Sequence, residues 1–292
     1  MIPVMDSGQQ KTSSDIPRLA QADLEQCQNW LPVRDQDSHK GSNGRVLIEG
    51  GEQSMAGAVC LAGWSAYIAG AGLVRVATTP GNVTAITSCR PELLVSGISV
   101  AHQLKQLFQQ VDVIALGPGL GQTKWSNQIF EFCLEHGEPG IIDADGLNLL
   151  AQSPEKRQDW ILSPHPGEAA RLLHCDVHDI QADRIAAARE IVSLYGGLCV
   201  LKGRESLIIS DDESWICPYG NAALAVAGTG DVLTGLMAGL LAQGMNRQQA
   251  AVASVVLHAK AAEYYTADNG AIGMLASDLM LPLRQLRNGY NL

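Results

Sequence analysis

Six short runs of this chain are apolar on both faces of an extended backbone. They are Val46-Leu47-Ile48, Leu73-Val74-Arg75-Val76-Ala77, Val111-Asp112-Val113-Ile114-Ala115-Leu116, Gly140-Ile141-Ile142-Asp143, Trp160-Ile161-Leu162-Ser163 and Leu198-Cys199-Val200-Leu201-Lys202. A strand buried on both sides has no wet face and so no polar alternation, which is the pattern of a parallel sheet covered above and below. Stretches of helical spacing separate the runs, so the expected class is α/β, a three-layer fold with a mostly parallel sheet and helices on both faces. Ser206–Ser210 and Glu213–Cys217 predict a hairpin around Asp211-Asp212 that gives the sheet an antiparallel margin. Leu19 to Leu31 reads as a helix stopped at Pro32, and Gly228 to Arg287 as mainly helical. Ala56 to Val74, the longest uncharged stretch, is rich in Gly and Ala and falls short of the ~20 strongly apolar residues of a membrane span. It predicts a buried helix whose Gly57, Ala58, Ala62, Gly63, Ala66, Ala69 and Gly70 allow close packing on the sheet. Residues 1–19 read as a polar flexible tail and 20–292 as one domain.

Composition narrows the partners. Thirty glycines and 5% aromatics suit helices packed on a sheet better than an all-β sandwich. A net charge of −10 argues against nucleic acid or an anionic membrane as the main partner, since both require a basic face. A phosphate ligand must then be held by local dipoles. Seven cysteines, odd in number and without a C-x-x-C pair, fit reduced thiols and a cytoplasmic location. Met1 to Ile16 lacks the apolar core of a secretory signal, so export is not expected.

The chemistry-bearing run is Ala227-Gly228-Thr229-Gly230-Asp231-Val232-Leu233-Thr234-Gly235. A glycine turn that opens a helix presents unpaired N–H groups to an anion. A carboxylate beside that anion is costly unless it takes a proton or faces a metal, which points to phosphoryl transfer with Asp231 as base. The plain alternative is a turn followed by a helix with a stabilising acid in its first turn. Four further turns follow strand ends: Gly117-Pro118-Gly119-Leu120-Gly121, Asp143-Ala144-Asp145-Gly146, Pro164-His165-Pro166-Gly167-Glu168 and Lys202-Gly203-Arg204-Glu205-Ser206. In open α/β sheets ligands bind beyond the carboxyl ends of the strands, so these turns are expected to line one crevice. Asp143 and Asp145 read as paired acids or as groups orienting nucleotide-borne Mg²⁺, with a structural role favoured for at least one. His174, Cys175 and His178 have metal-like spacing but no evident fourth ligand, so they are expected on the surface. Neither a Walker A pattern nor G-x-G-x-x-G occurs.

These turns, together with His39-Lys40-Gly41-Ser42-Asn43-Gly44-Arg45, Gly57-Ala58, Ser163 and Leu201-Lys202-Gly203, occur in an order that resembles the ADP-dependent (S)-NAD(P)H-hydrate dehydratases of the ribokinase-like superfamily. The resemblance runs from about Leu31 to the C-terminus. It implies a lyase that returns hydrated NADH or NADPH (NADHX, NADPHX) to the working coenzyme while ADP gives AMP and phosphate. It implies Asp231 as the catalytic base, and Ala58, Gly119, His165 and Asp231 as contacts of the hydrate. It places the nucleotide on Lys202, Gly203, Arg204, Glu205, Ser206, Asn221, Gly228, Thr229 and Gly230. ADP as co-substrate, Mg²⁺ with no protein ligand assigned, a separate epimerase and a homotetramer follow from the same likeness. Departures from the family pattern are Glu49 in place of a branched apolar residue, Ser206 in place of Thr, and Val226-Ala227 in place of Ser/Thr-Gly. A ribokinase-like kinase of a small alcohol, and a nucleotide sensor without turnover, are the rival expectations.

Overall fold

A computed structural model describes residues 19–137 and 140–290. Ten strands form one sheet: β1 (Ala20–Gln21), β2 (Arg45–Glu49), β3 (Leu73–Thr78), β4 (Leu94–Gly97), β5 (Val113–Leu116), β6 (Ile141–Ile142), β7 (Ile161–Leu162), β8 (Leu198–Leu201), β9 (Leu207–Ile209) and β10 (Ser214–Ile216). Their order is β1-β10-β9-β8-β7-β6-β5-β2-β3-β4. From β4 through β8 every neighbouring pair is parallel, and only β8, β9 and β10 pair antiparallel. All six doubly apolar runs are strands, and the hairpin around Asp211-Asp212 is present.

Alternation along a strand sends successive side chains into two separate cores. Val46 and Ile48 of β2 join the core beneath the helices Ala56–Ala69, Thr229–Ala242 and Arg247–Asn269, while Leu47 joins the core of the opposite face. Leu198 and Val200 of β8 likewise face one way, Cys199 and Leu201 the other. This two-sided burial is what removes polar positions from the strands.

Three expectations are corrected. The helix expected over 19–31 is Leu24–Trp30, capped by the Asp23 carboxylate, which accepts from the Gln26 N–H at 3.1 Å; Ala20–Gln21 is an edge strand parallel to β10. The edge strand β4 was not expected, because Leu94-Val95-Ser96-Gly97 is short and partly exposed and has no buried periodicity. The buried small-residue helix ends at Ala69, and its closest approach is to another helix as well as to the sheet. A Cβ on Gly235 would lie 2.0 Å from the Ala62 carbonyl oxygen, and one on Gly239 2.5 Å from that of Ala66. Those two glycines let helix Thr229–Ala242 sink against helix Ala56–Ala69. The expected tail lies outside the described residues except for Leu19.

From the edge strand β1 the chain crosses to β2, runs to the opposite edge through β3 and β4, then returns to the other side of β2 with β5. The order therefore reverses between β2 and β5, and a crevice opens at the carboxyl ends of strands at such a point. Two loops meet there. The Gly51 N–H donates to Pro118 O at 2.9 Å and the Glu52 N–H to Gly119 O at 2.6 Å. The Asn82 amide holds the same loop by donating to the carbonyls of Gly51 and Glu52 at 2.8 and 3.0 Å.

Candidate active site

Gly228 takes φ +91° at the N-cap of helix Thr229–Ala242, and it supplies no side-chain cap. The first N–H groups of the helix are thus left for an external acceptor. A side chain at 228 would be strained, and its Cβ would sit 2.7 Å from Leu61 Cδ1. The Thr229 hydroxyl turns away from the crevice and donates to the carbonyls of Leu224 and Val226 at 2.9 and 3.0 Å. His258, on helix Arg247–Asn269, hydrogen-bonds the Thr229 backbone, and burial pushes its imidazole down to about 4. The turn is therefore fastened from two sides while its glycine amides stay free of side chains.

Beside it lies a buried group of charges. Lys202 Nζ, at the end of β8, is 2.7 Å from Asp143 Oδ1 and 3.8 Å from Glu168 Oε2. The other Asp143 oxygen accepts from the Thr234 hydroxyl at 2.6 Å. Burial opposes the Lys202 charge, but the Asp143 and Glu168 carboxylates outweigh it and hold the ammonium above its usual range. Asp231 shares this environment. Burial first, then the Asp143 carboxylate, raise its carboxyl to about 7, against the pull of Lys202. A carboxyl near 7 is suited to accept a proton at neutral pH and to release it afterwards.

His165 stands half-exposed at the rim as the N-cap of helix Pro166–Leu172. Its Nδ1 accepts from the Gly167 N–H at 2.9 Å, so the neutral ring carries its proton on Nε2, 3.3 Å from Glu168 Oε1. Glu168 Oε2 accepts from the His165 N–H at 2.7 Å. Burial lowers the His165 pKa, and Lys202 and Arg171 lower it further. The imidazole is consequently a fixed, neutral N–H donor.

Ala58 and Gly119 come together: a Cβ at Gly119, where φ is +56°, would lie 3.0 Å from that of Ala58. Asp145 supports this wall, since its Oδ2 accepts from the Gly121 N–H at 2.8 Å and its Oδ1 from Asn148 at 3.1 Å. Asp143 and Asp145 are thus not paired with each other; each braces a different loop. All four of their oxygens already accept a hydrogen bond, and no cluster of three potential metal-ligating acids, histidines or cysteines occurs among the described residues. Among the described residues the donor set does not make a magnesium cage.

The segment Gly203-Arg204-Glu205-Ser206 is held by Arg184, which donates to the carbonyls of Leu201, Arg204 and Glu205. Asn221 uses both ends of its amide internally, accepting from the Ala223 N–H at 3.0 Å and donating to Thr266 Oγ1 at 2.8 Å. The sequence reading missed Thr234, Arg184 and His258. Thr234 was accessible, because it lies one turn after Asp231 on the same helical face. Arg184 and His258 act from helices with no motif of their own. The segment His39–Arg45 does not join this group: it folds at the amino end of β2, with His39 Nδ1 accepting from the Gly41 N–H at 3.1 Å.

The family described as NAD(P)H-hydrate dehydratase matches residues 46–284. A protein of Neisseria meningitidis named ADP-dependent (S)-NAD(P)H-hydrate dehydratase is 38% identical, over 88% of this chain and 89% of its own. A crystal structure of the ADP/ATP-dependent NAD(P)H-hydrate dehydratase of Bacillus subtilis, co-crystallized with ATP/Mg²⁺, superposes with a TM-score of 0.81 at 31% identity, covering 93% of this chain and 98% of that one. A ribokinase-like superfamily protein of Enterococcus faecalis gives 0.85 at 26% identity, over 93% and 96%. The chain spans about half the length of other curated relatives, which are named bifunctional NAD(P)H-hydrate repair enzymes. The expected ribokinase-like architecture is therefore present, and the chain belongs to the NAD(P)H-hydrate dehydratase family.

Proposed function

We propose that this chain dehydrates the S epimer of NAD(P)H hydrate, consuming ADP and producing AMP and phosphate. The observation that carries the reading is Asp231, a carboxyl at about 7 in the first turn of a glycine-capped helix. The hydrate's hydroxyl is a poor leaving group, and phosphorylation makes it a good one. Asp231 takes the hydroxyl proton as that oxygen bonds to the β-phosphorus of ADP, and the bond from the β-phosphorus to the bridging oxygen breaks to leave AMP. The ring nitrogen then expels phosphate, and loss of a ring proton restores the dihydronicotinamide.

In this reading the amides of Gly228, Thr229 and Gly230 receive the transferring phosphoryl group, where their positive partial charge meets developing negative charge. Ala58 and Gly119 admit the hydrate, and the fixed His165 N–H orients it. Lys202 and the Gly203–Ser206 loop hold the nucleotide, with Asn221 bracing its far side. Mg²⁺ arrives on the nucleotide, since the carboxylates beside Asp231 are engaged with protein groups. Epimerisation of the R hydrate belongs to a distinct catalytic unit.

The test incubates the purified chain with enzymatically hydrated NADH, Mg²⁺ and either ADP or ATP. Recovery of dihydronicotinamide absorbance with stoichiometric AMP from ADP is expected, with a loss of ~10²–10⁴-fold in Asp231→Asn. A stable phosphorylated product, or nucleotide binding with no turnover, would refute the reading in favour of a kinase or a sensor.

A further inference from the structure

Four arginines converge on a cavity at the end of the sheet opposite Asp231. The cavity, about 950 Å³, opens at the amino ends of β2, β3 and β4, a strand's length or roughly 16 Å from the catalytic crevice. Arg34, Arg90, Arg284 and Arg287 line it, and Glu92 is the one acidic residue in its wall. In a chain with a net charge of −10 this local balance is reversed. Among the described residues, none of the four guanidinium groups has a carboxylate within 4.0 Å.

Two of the four have a structural task. Arg287 Nε donates to Ala69 O at 2.8 Å and Arg34 Nη2 to Gly70 O at 2.8 Å, so both cap the carbonyl end of helix Ala56–Ala69. Capping leaves the mutual repulsion in place: burial, and then the charge of Arg34, depress the Arg287 pKa. The other two tie down no distant element: Arg90 Nη1 donates to the carbonyl of the adjacent Cys89 at 3.2 Å, at the end of helix Val83–Cys89. The Arg90 Cζ stands over the Trp64 ring, 3.4 Å from its centroid, and its Nε is buried and unpartnered among the described residues. The Arg284 guanidinium is exposed and has no partner among the described residues.

Stacking fixes a guanidinium's plane and leaves its edge donors to match pairs of phosphate oxygens. Several such groups together suit an anion of several charges. Leu31, Ile68 and Leu93 add an apolar floor that fits an organic substituent. We propose that this cavity is a second binding site, for an organic polyphosphate of the nucleoside-diphosphate class, independent of the Asp231 site. Ser42 and Asn43 line the same cavity, which gives the His39–Arg45 segment a place in binding that the catalytic crevice does not offer.

The test titrates the full chain calorimetrically with inorganic tripolyphosphate and, separately, with ADP, in the wild type and in Arg90→Gln/Arg284→Gln. Tripolyphosphate affinity is expected to fall at least tenfold in the double variant, with kcat and the KM for ADP unchanged. ADP is expected to bind with two equivalents in the wild type and one in the variant; one equivalent in both would show a site for the inorganic chain alone and would overturn the nucleoside-diphosphate assignment. The single variant Arg284→Gln, whose side chain holds no other element in place, repeats the measurement where the double variant is unstable. No tripolyphosphate binding by the wild type, or equal affinity and stoichiometry in wild type and variants, overturns the proposal. These readouts do not depend on which reaction Asp231 catalyses.

Discussion

Replacing Asp231 by asparagine separates the stability effect of its carboxyl from its chemistry. In the folded chain the group titrates at about 7 rather than the usual 3.8, a difference of about 3 at 1.36 kcal/mol each, or roughly 4 kcal/mol. Below pH 3.8 the carboxyl is protonated in both folded and unfolded chains, and its ionisation costs nothing. Between 3.8 and about 7 the unfolded chain has released the proton while the folded chain still holds it, so stability declines as pH rises. Above 7 the full cost is present. Asparagine cannot ionise, so Asp231→Asn should be more stable than wild type by up to roughly 4 kcal/mol at pH 8, and equal to it near pH 3.5. For 292 residues at ~2.1 cal/mol/K each, that is a rise in Tm of roughly 6 °C. Thermal and urea unfolding of both proteins at pH 3.5, 6 and 8 measures it. A variant that is less stable at pH 8, or whose advantage does not vary with pH, would show that the carboxylate is not strained in the fold. It would remove the argument that Asp231 is tuned for proton transfer.

Lys202→Met leaves the Asp143 carboxylate, 1% exposed, without its counter-charge, and should cost about 3–5 kcal/mol in urea unfolding. Thr234→Val removes a hydrogen bond to the same carboxylate and should cost less, about 1.5–3 kcal/mol. Glu49 is 1% exposed in the opposite core, where burial raises its carboxyl to about 8 and the Cys133 thiol donates to it at 3.1 Å. Wild-type stability should therefore decline from about pH 4.5 to about pH 8, and Glu49→Gln should abolish that part of the slope in unfolding curves at pH 5 and 9. Arg184→Gln frees the carbonyls of the 201–205 loop and should raise the KM for ADP about fivefold while kcat at saturation holds, for a loss of ~1 kcal/mol.

Local periodicity made the sheet legible. β2, β3, β5, β6, β7 and β8 are buried on both faces, and that burial is written in their residue types. The edge strands β1 and β4 were illegible for the opposite reason, since two or four half-exposed residues leave no pattern. The glycine turn and the four loops at strand ends were also visible, because Gly, Pro and Asp mark backbone geometry that other residues strain to adopt.

The state of Asp231 belongs to the tertiary structure alone. Its carboxyl is raised by burial and by Asp143, 88 positions earlier in the chain, and Asp143 is in turn fixed by Lys202 and Thr234, 59 and 91 positions after it. Electrostatic environment depends on distance through space and on exclusion of water, and neither is encoded at any single position. The arginine cavity makes the same point. Arg34, Arg90, Arg284 and Arg287 are scattered over the sequence, and only the meeting of the amino ends of three strands with the end of one helix turns them into a neighbourhood.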